Sequence, residues 1–337
     1  MQKKDLEIFV GYPRFEKIIR IMRECHNTYG DSRPSCALIT ASAGVGKTTL
    51  IDEYLHRYDS PRERVGNNMI VPILSIRAPG SASSKSLLSR MLHILGDRAW
   101  SKGSKDSMAE RLISFIGECK VTLIMIQETQ HLVDSDSKKV ITKTRDTLKD
   151  LLDSTSTPII LFGMPKASDV VDEDQQVQDR FSVRLKLVPF GYDDEIQEGE
   201  DEAQAESRKK EFQHFLWGVE RQLPFEQPFG LDSEDMSYRL FYASDGNPRR
   251  LVEELIKNAA LYAINSGRKG LDIKDLALAF ETYLHGIVPH KTNPFKHKVF
   301  NMTIAQRYAT APAKLITGGI NERTQSSPRQ DRPSDYF

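Results

Sequence analysis

Apolar residues in the first 190 positions follow two alternating patterns: short continuous runs, and longer stretches where they recur every three or four positions. The runs are Ser35–Thr40, Met69–Ile76, Val121–Ile126 and Thr157–Gly163, with Val183, Leu185 and Leu187 alternating through Ser182–Phe190. Each has strand length. Helical spacing appears in Ile18, Ile19 and Met22 after Pro13, in Leu50, Ile51, Tyr54, Leu55 and Tyr58, and in Leu87, Leu88, Met91, Leu92 and Leu95. It returns over Met108–Ile116 and Lys139–Leu152. Unbroken apolar strands alternating with helices predict a parallel sheet covered on both faces.

Beyond residue 208 only the helical period remains, carried by Phe212, Phe215, Leu216 and Val219, by Leu251, Leu255, Ala259 and Ala260, and by Leu276, Ala277, Ala279 and Phe280. This divides the chain into an α/β domain over 1–190, an acidic loop over 191–207, a small helical domain over 208–287 and a tail over 288–337. In the tail periodicity fades into Pro, Ser, Arg, Gln and Gly, a composition that predicts a flexible segment.

Composition narrows the picture. A chain of 337 residues has room for about two domains, and 39% hydrophobic with 28% charged residues suits a soluble globular core. No run approaches the ~18 apolar residues of a membrane span, and MetGlnLysLysAspLeuGluIlePheVal at the start has no signal-peptide core, so a cytoplasmic protein is expected. Cys25, Cys36 and Cys119 lack metal-ligand spacing, which disfavours a disulfide framework or a zinc fold. The formal net charge is zero, yet Asp193–Glu206 holds eight acids in fourteen residues and His290–Phe337 eight Lys/Arg against three acids. Outside the acidic stretch the chain is basic, which keeps nucleic acid open as a partner.

The strongest chemical signal lies between the first strand and the helix after it, where Ala41 leads into Ser42, Ala43, Gly44, Val45, Gly46, Lys47, Thr48 and Thr49. Small residues let successive backbone N–H groups curl around an anion. A lysine serves the β- and γ-phosphates, a hydroxyl serves Mg²⁺, and the helix N-terminus favours negative charge. Ala41 stands where the motif has its first glycine, a departure the loop tolerates if that residue is not at positive φ. ATP with Mg²⁺ is the expected ligand, Thr48 contributing to the metal.

An ATPase of this kind ends a buried strand in two acids. Val121–Ile126 is such a strand, but Gln127 holds the first position and Glu128 the second. Glu128 sits where the base that orients the attacking water belongs. Gln127 brings no charge to the metal, so hydrolysis is expected to be slow.

These segments, with GlnHisLeu (130–132), LeuPheGlyMetProLysAla (161–167) and AspGlyAsnProArgArgLeu (245–251) following in order, resemble the TnsC and TniB group of AAA+ ATPases over roughly residues 8–286. That family regulates transposons moved by a DDE transposase. The resemblance implies an AAA+ P-loop NTPase with a five-stranded parallel sheet and a small helical lid. It implies a homo-oligomer in which an arginine near the fifth strand completes the neighbour's ATP site; Arg180 fits best and Arg184 is the reserve. The lid's sensor arginine would be Arg249, with Arg250 the alternative, and Val10 and Tyr12 match the segment lining the adenine pocket. Met164 departs from the polar residue that usually ends the fourth strand.

Members of the family assemble around duplex DNA without sequence specificity. The matching segment here is Arg98–Lys105, with Lys102, Ser104 and Lys105 ahead of a helix, groups suited to phosphate contact. Trp100 is expected to pack locally. The implied partners are a transposase of TnsB or TniA type and a target selector of TniQ or TnsD type, and the tail, with Pro294, Phe295, Val299 and Phe300, is a candidate partner contact. Two alternatives stand beside this reading: an ATP-bound scaffold without useful hydrolysis, and an unrelated AAA+ loader or signalling ATPase.

Overall fold

The computed structural model describes residue 3 and residues 6–58, 63–65, 68–80, 83–132, 138–192 and 202–300. The tail after Phe300 and most of the acidic run, at 193–201, lie outside the described residues.

Seven strands are described: β1 (Ala37–Ala41), β2 (Glu63–Val65), β3 (Asn68–Ile70), β4 (Ile73–Arg77), β5 (Leu123–Gln127), β6 (Ile159–Gly163) and β7 (Val183–Leu187). Five of them form a parallel sheet in the order β4-β5-β6-β1-β7. Every crossover carries helix, as parallel pairing requires. Central β6 is buried at all five positions, whereas edge strand β7 alternates, with Arg184 and Lys186 outward; charges on an edge discourage further pairing.

Because side chains alternate across a strand, the sheet feeds two cores. Leu38, Leu74, Ile124, Ile126 and Leu161 pack with helices Ser84–Leu95, Lys105–Glu118 and Lys138–Ser154. Ile39, Ile73, Met125, Ile160 and Phe162 face helices Pro13–His26 and Lys47–Tyr58. This second core continues through Tyr12, Phe190 and Phe215 into the helices of the C-terminal part, so the small helical domain shares a core with the sheet.

Four features differ from the sequence expectation. The run 69–76 is two elements: β3 pairs antiparallel with β2 while β4 joins the sheet. Pro72 lies between them, has no N–H for a ladder, and accepts at its carbonyl from the Thr122 N–H at 2.8 Å. Strand β7 ends at Leu187, short of Pro189. A helix at Glu234–Ser244 was not foreseen, because its buried apolar positions (Met236, Leu240, Ala243) are sparse.

The fourth difference corrects the flexible tail expected from residue 288: its first part, to Phe300, is packed. Val288, Pro294, Phe295 and Phe300 are buried. Arg239, 2% exposed, donates to the carbonyls of Pro294, His297 and Lys298. A buried guanidinium needs such acceptors, and these backbone carbonyls supply them.

Candidate functional site

A cavity of about 520 Å³ opens at the carboxyl ends of the sheet strands, between the α/β part and the lid. The loop Ser42–Gly46 and the first turn of helix Lys47–Tyr58 form its floor. That first turn contains no acidic residue, so its dipole is left for a ligand. Gly44 and Gly46 have φ of 79° and 106°, where a Cβ is costly. A side chain at Gly44 would also press on Asn247, its Cβ 2.7 Å from Oδ1. Ala41 is the last residue of β1 and is not among the positive-φ residues, so a glycine is not needed there.

Lys47 Nζ donates to the Ala41 carbonyl at 3.2 Å. Burial holds its ammonium below the usual range, the Glu128 charge acting in the opposite sense. A site that leaves a cation partly desolvated gains from an incoming anion. Thr48 and Glu128 line the same cavity, so a hydroxyl and a carboxylate stand beside the lysine. Among the described residues no cluster of three His, Cys, Asp or Glu exists to hold a metal. Gln127 Nε2 donates to Ser75 Oγ at 3.1 Å, holding it against β4.

Val10 and Tyr12 line the opposite wall with Phe9 and Phe215. Gln222, in the turn after the helix Glu202–Glu220, fixes this segment: its Oε1 accepts from the Phe9 N–H at 2.9 Å and its Nε2 donates to the Phe9 carbonyl at 2.6 Å. Burial pushes the Tyr12 phenol up to about 12, the nearby Arg14 opposing it, so Tyr12 remains neutral and packs on Phe15, Phe190 and Phe215.

The lid reaches the loop through Asn247. Its Nδ2 donates to the Ala43 carbonyl at 3.0 Å, and its Oδ1 accepts from the Arg249 N–H at 3.1 Å. Arg249 then donates from its backbone to the Gly44 carbonyl at 3.1 Å. The Arg249 side chain, 70% exposed, lines the cavity near Glu254. Arg250 is held at Asp245, 2.6 Å away. Of the two arginines, only Arg249 lines this cavity. Asn247 was not singled out from sequence, although an Asn before Pro at a helix start is a capping signal.

Arg180 lies elsewhere. It ends the helix Gln175–Arg180 at the amino ends of β1 and β7 and lines a second cavity of about 440 Å³ with Arg33, Ser35, Lys149 and Asp153. Its Nη2 meets Asp153 Oδ1 at 2.7 Å, while Nη1 is buried without a hydrogen-bond partner. Arg184 pairs with Asp172 at 3.2 Å on the edge strand. The cavity at the carboxyl ends of the strands contains neither.

Lys102 and Ser104 are exposed on a braced turn. Arg111 donates to Asp97, to the Ala99 carbonyl and to the Lys102 carbonyl, each at 3.0 Å. Ser104 caps helix Lys105–Glu118 by accepting from the Ser107 N–H, and Lys105 lies 3.7 Å from Asp150. Trp100 packs edge-on against His93, as expected of a local contact. No described helix is long and apolar enough to cross a membrane.

The architecture is similar to that of solved Orc and Cdc6 proteins. The ORC2 protein of Aeropyrum pernix, in ADPNP–ADP complexes, superposes with a TM-score of 0.54 at 17% identity, over 80% of this chain and 67% of that one. Cdc6p of Pyrobaculum aerophilum gives 0.55 at 13%, over 82% and 69%. The ORC1 protein of Aeropyrum pernix in complex with DNA gives 0.51 at 14%, over 80% and 65%. These likenesses show the fold. No curated protein matches the sequence. The profile of the bacterial TniB protein, in contrast, matches residues 1–192, more than half of the 337. By that match the chain belongs to the bacterial TniB family.

Proposed function

We propose that this protein is an ATP-dependent regulator of DNA transposition that assembles on duplex DNA and hydrolyses ATP slowly. One observation carries the reading: the cavity gathers Lys47, Thr48, Glu128 and Arg249, while Arg180 stands at the opposite end of the sheet, outside it. The arginines that line that cavity are Arg77 and Arg249; Arg180, the one read as neutralising charge that develops on the γ-phosphate, lies outside it, and a second copy of the chain can supply it. ATP bound between copies then drives oligomerisation.

Within the site Lys47 and the loop amides hold the β- and γ-phosphates, and Thr48 contributes a hydroxyl to Mg²⁺, whose charge stabilises the phosphate oxygens. Glu128 orients water and accepts its proton as oxygen bonds to the γ-phosphorus and the bond to the β–γ bridging oxygen breaks, leaving ADP and phosphate. Turnover is slow because Gln127 adds no negative charge and Met164 offers a thioether where a polar side chain would meet the reacting group. Lys102, Ser104 and Lys105 contact the DNA backbone, a sequence-neutral contact repeated by every subunit. Target choice then comes from partners, a TniQ- or TnsD-type selector and a transposase of TnsB or TniA type. Family membership supports them, as the DNA-bound ORC1 neighbour supports a DNA role for the fold.

The test is sedimentation of the full chain with random-sequence duplex DNA under ATP, ADP or no nucleotide, for wild type and Lys47→Ala. Complexes that need ATP and Lys47 and grow with DNA length are expected. Nucleotide binding without DNA-dependent assembly at low salt would overturn the reading in favour of a loader or signalling ATPase. The hydrogen bond that turns Gln127 to Ser75 favours a second reading, an ATP-bound scaffold with no useful turnover. Fast hydrolysis restored by Gln127→Asp would support it.

A further inference from the structure

Residues Gln127–Leu132 connect the end of β5 to the end of β6 through side chains. Thr129 is fully buried, and its hydroxyl lies 2.8 Å from the Phe162 carbonyl and 3.1 Å from that of Ile126. Gln130, 6% exposed, bridges two groups at the cavity wall. Its Nε2 donates to Glu128 Oε2 at 2.5 Å, and its Oε1 accepts from the Met164 N–H at 2.9 Å. Both ends of the amide are used, which also fixes which way it faces.

The backbone around this bridge is specialised. Glu128 has a φ of 55°, a left-handed conformation that is strained for a non-glycine residue and persists only where the surroundings enforce it. Gly163 precedes Met164, and a Cβ there would collide with Ala167 and come within 3.0 Å of Gln130 Oε1. The end of β6 is therefore shaped around the glutamine.

Resting on the reading of Glu128 as the group that serves the attacking water, we propose that Gln130 is its positioning residue. The amide occupies Oε2, leaves the other carboxylate oxygen for water, and ties the carboxylate to the end of β6. That link fills the place Met164 vacates: the end of the fourth strand communicates with the reacting centre through its backbone N–H and Gln130, not through its own side chain. Gln130 itself is not among the residues lining the cavity, so its effect falls on turnover and not on nucleotide affinity.

The experiment measures kcat and KM for ATP hydrolysis by the full chain with duplex DNA, and binding of a fluorescent ATP analogue, for wild type, Glu128→Gln, Gln130→Met and Gln130→Glu. Gln130→Met keeps the volume and removes both hydrogen bonds. Its kcat is expected to fall about 10- to 100-fold, with analogue affinity within about twofold. Wild-type kcat in Gln130→Met overturns the proposal, as does a loss of affinity equal to the loss of kcat in a folded variant, which marks a structural role. If Gln130→Met does not fold, Gln130→Glu decides. Two carboxylates at hydrogen-bond distance resist carrying two charges, so the acid limb of its pH–rate profile moves to higher pH, and an unmoved limb overturns the proposal. Undiminished turnover in Glu128→Gln removes the underlying reading, and the inference with it. An inactive Glu128→Gln beside a wild-type-like Gln130→Met removes the inference alone.

Discussion

The two ends of the parallel sheet are built on opposite plans. At the carboxyl ends, the cavity floor is backbone: loop amides, two glycines at positive φ and a helix N-terminus, with Lys47 bonded only to a carbonyl among the described hydrogen bonds. At the amino ends, the second cavity is made of side chains, and Arg180 is already engaged by Asp153 while Nη1 stays unpaired. Backbone dipoles recognise a phosphate chain by shape and hold it through the reaction. A guanidinium can instead offer a planar fork of donors to a carboxylate such as Asp153 or to a phosphate. On the proposed reading one end of the chain receives the nucleotide and the other completes a neighbour's, and the two cavities lie at opposite ends of the sheet.

The sharpest way to break this comparison is to disable each end separately. Lys47→Ala is expected to weaken nucleotide binding by at least about 100-fold, since it removes the cation facing the phosphates. Arg180→Ala is expected to keep binding within about twofold and to lower turnover by about 10³-fold, the scale of a trans-acting arginine. Mixing the two inactive proteins restores hydrolysis, because some interfaces then pair an intact loop with an intact Arg180. Failure to complement, measured as steady-state phosphate release, sinks Arg180 in this role, and the same test on Arg184→Ala then decides for or against the reserve.

The two ends were unequally legible from sequence. The carboxyl end could be read because its chemistry is local: Ser42–Thr49 is a contiguous loop, and Glu128 follows an unbroken apolar strand. Arg249 and Val10 also reach the cavity. Asn247 and Gln130 were missed as site residues because their partners, Ala43 and Met164, are distant in sequence and only the folded chain brings them together. Pro72 was visible inside the run 69–76 and marks its division, since a proline has no N–H to donate to a ladder. The anchors Pro294, Phe295 and Phe300 were noticed but assigned to a flexible tail. Their acceptor-hungry partner, Arg239, sits on a helix whose apolar pattern is too sparse to read.

A smaller effect sharpens the description of the carboxyl end. If the lid holds the phosphate loop in shape through Asn247, then Asn247→Ala frees the Ala43 carbonyl and uncaps the Arg249 turn. Loss of such a cap costs about 1 kcal/mol, so ATP-analogue affinity should fall roughly fivefold. Steady-state fluorescence titration measures it. Unchanged affinity would mean that the loop keeps its form without the lid.

The smallest effect belongs to the amino end and concerns acid. His26 lies beneath the sheet, within 2.9 Å of the Tyr54 hydroxyl and 2.8 Å of the Thr122 hydroxyl. Burial, helped by Arg23, lowers its pKa to about 4, against about 6.5 in an unfolded chain. Between these values the unfolded state takes up a proton that the folded state refuses. The stabilising contribution is therefore complete above about pH 6.5 and is lost progressively as pH falls toward about 4. His26→Gln removes the titrating group while keeping a hydrogen-bonding side chain, so its melting temperature should fall less steeply over that window, by roughly a few degrees. Parallel melting curves for the two proteins would place the acid sensitivity elsewhere. A flatter curve for the variant, with ATP-analogue affinity unchanged at neutral pH, would show that the packing beneath the sheet can be disturbed while the nucleotide end keeps its form.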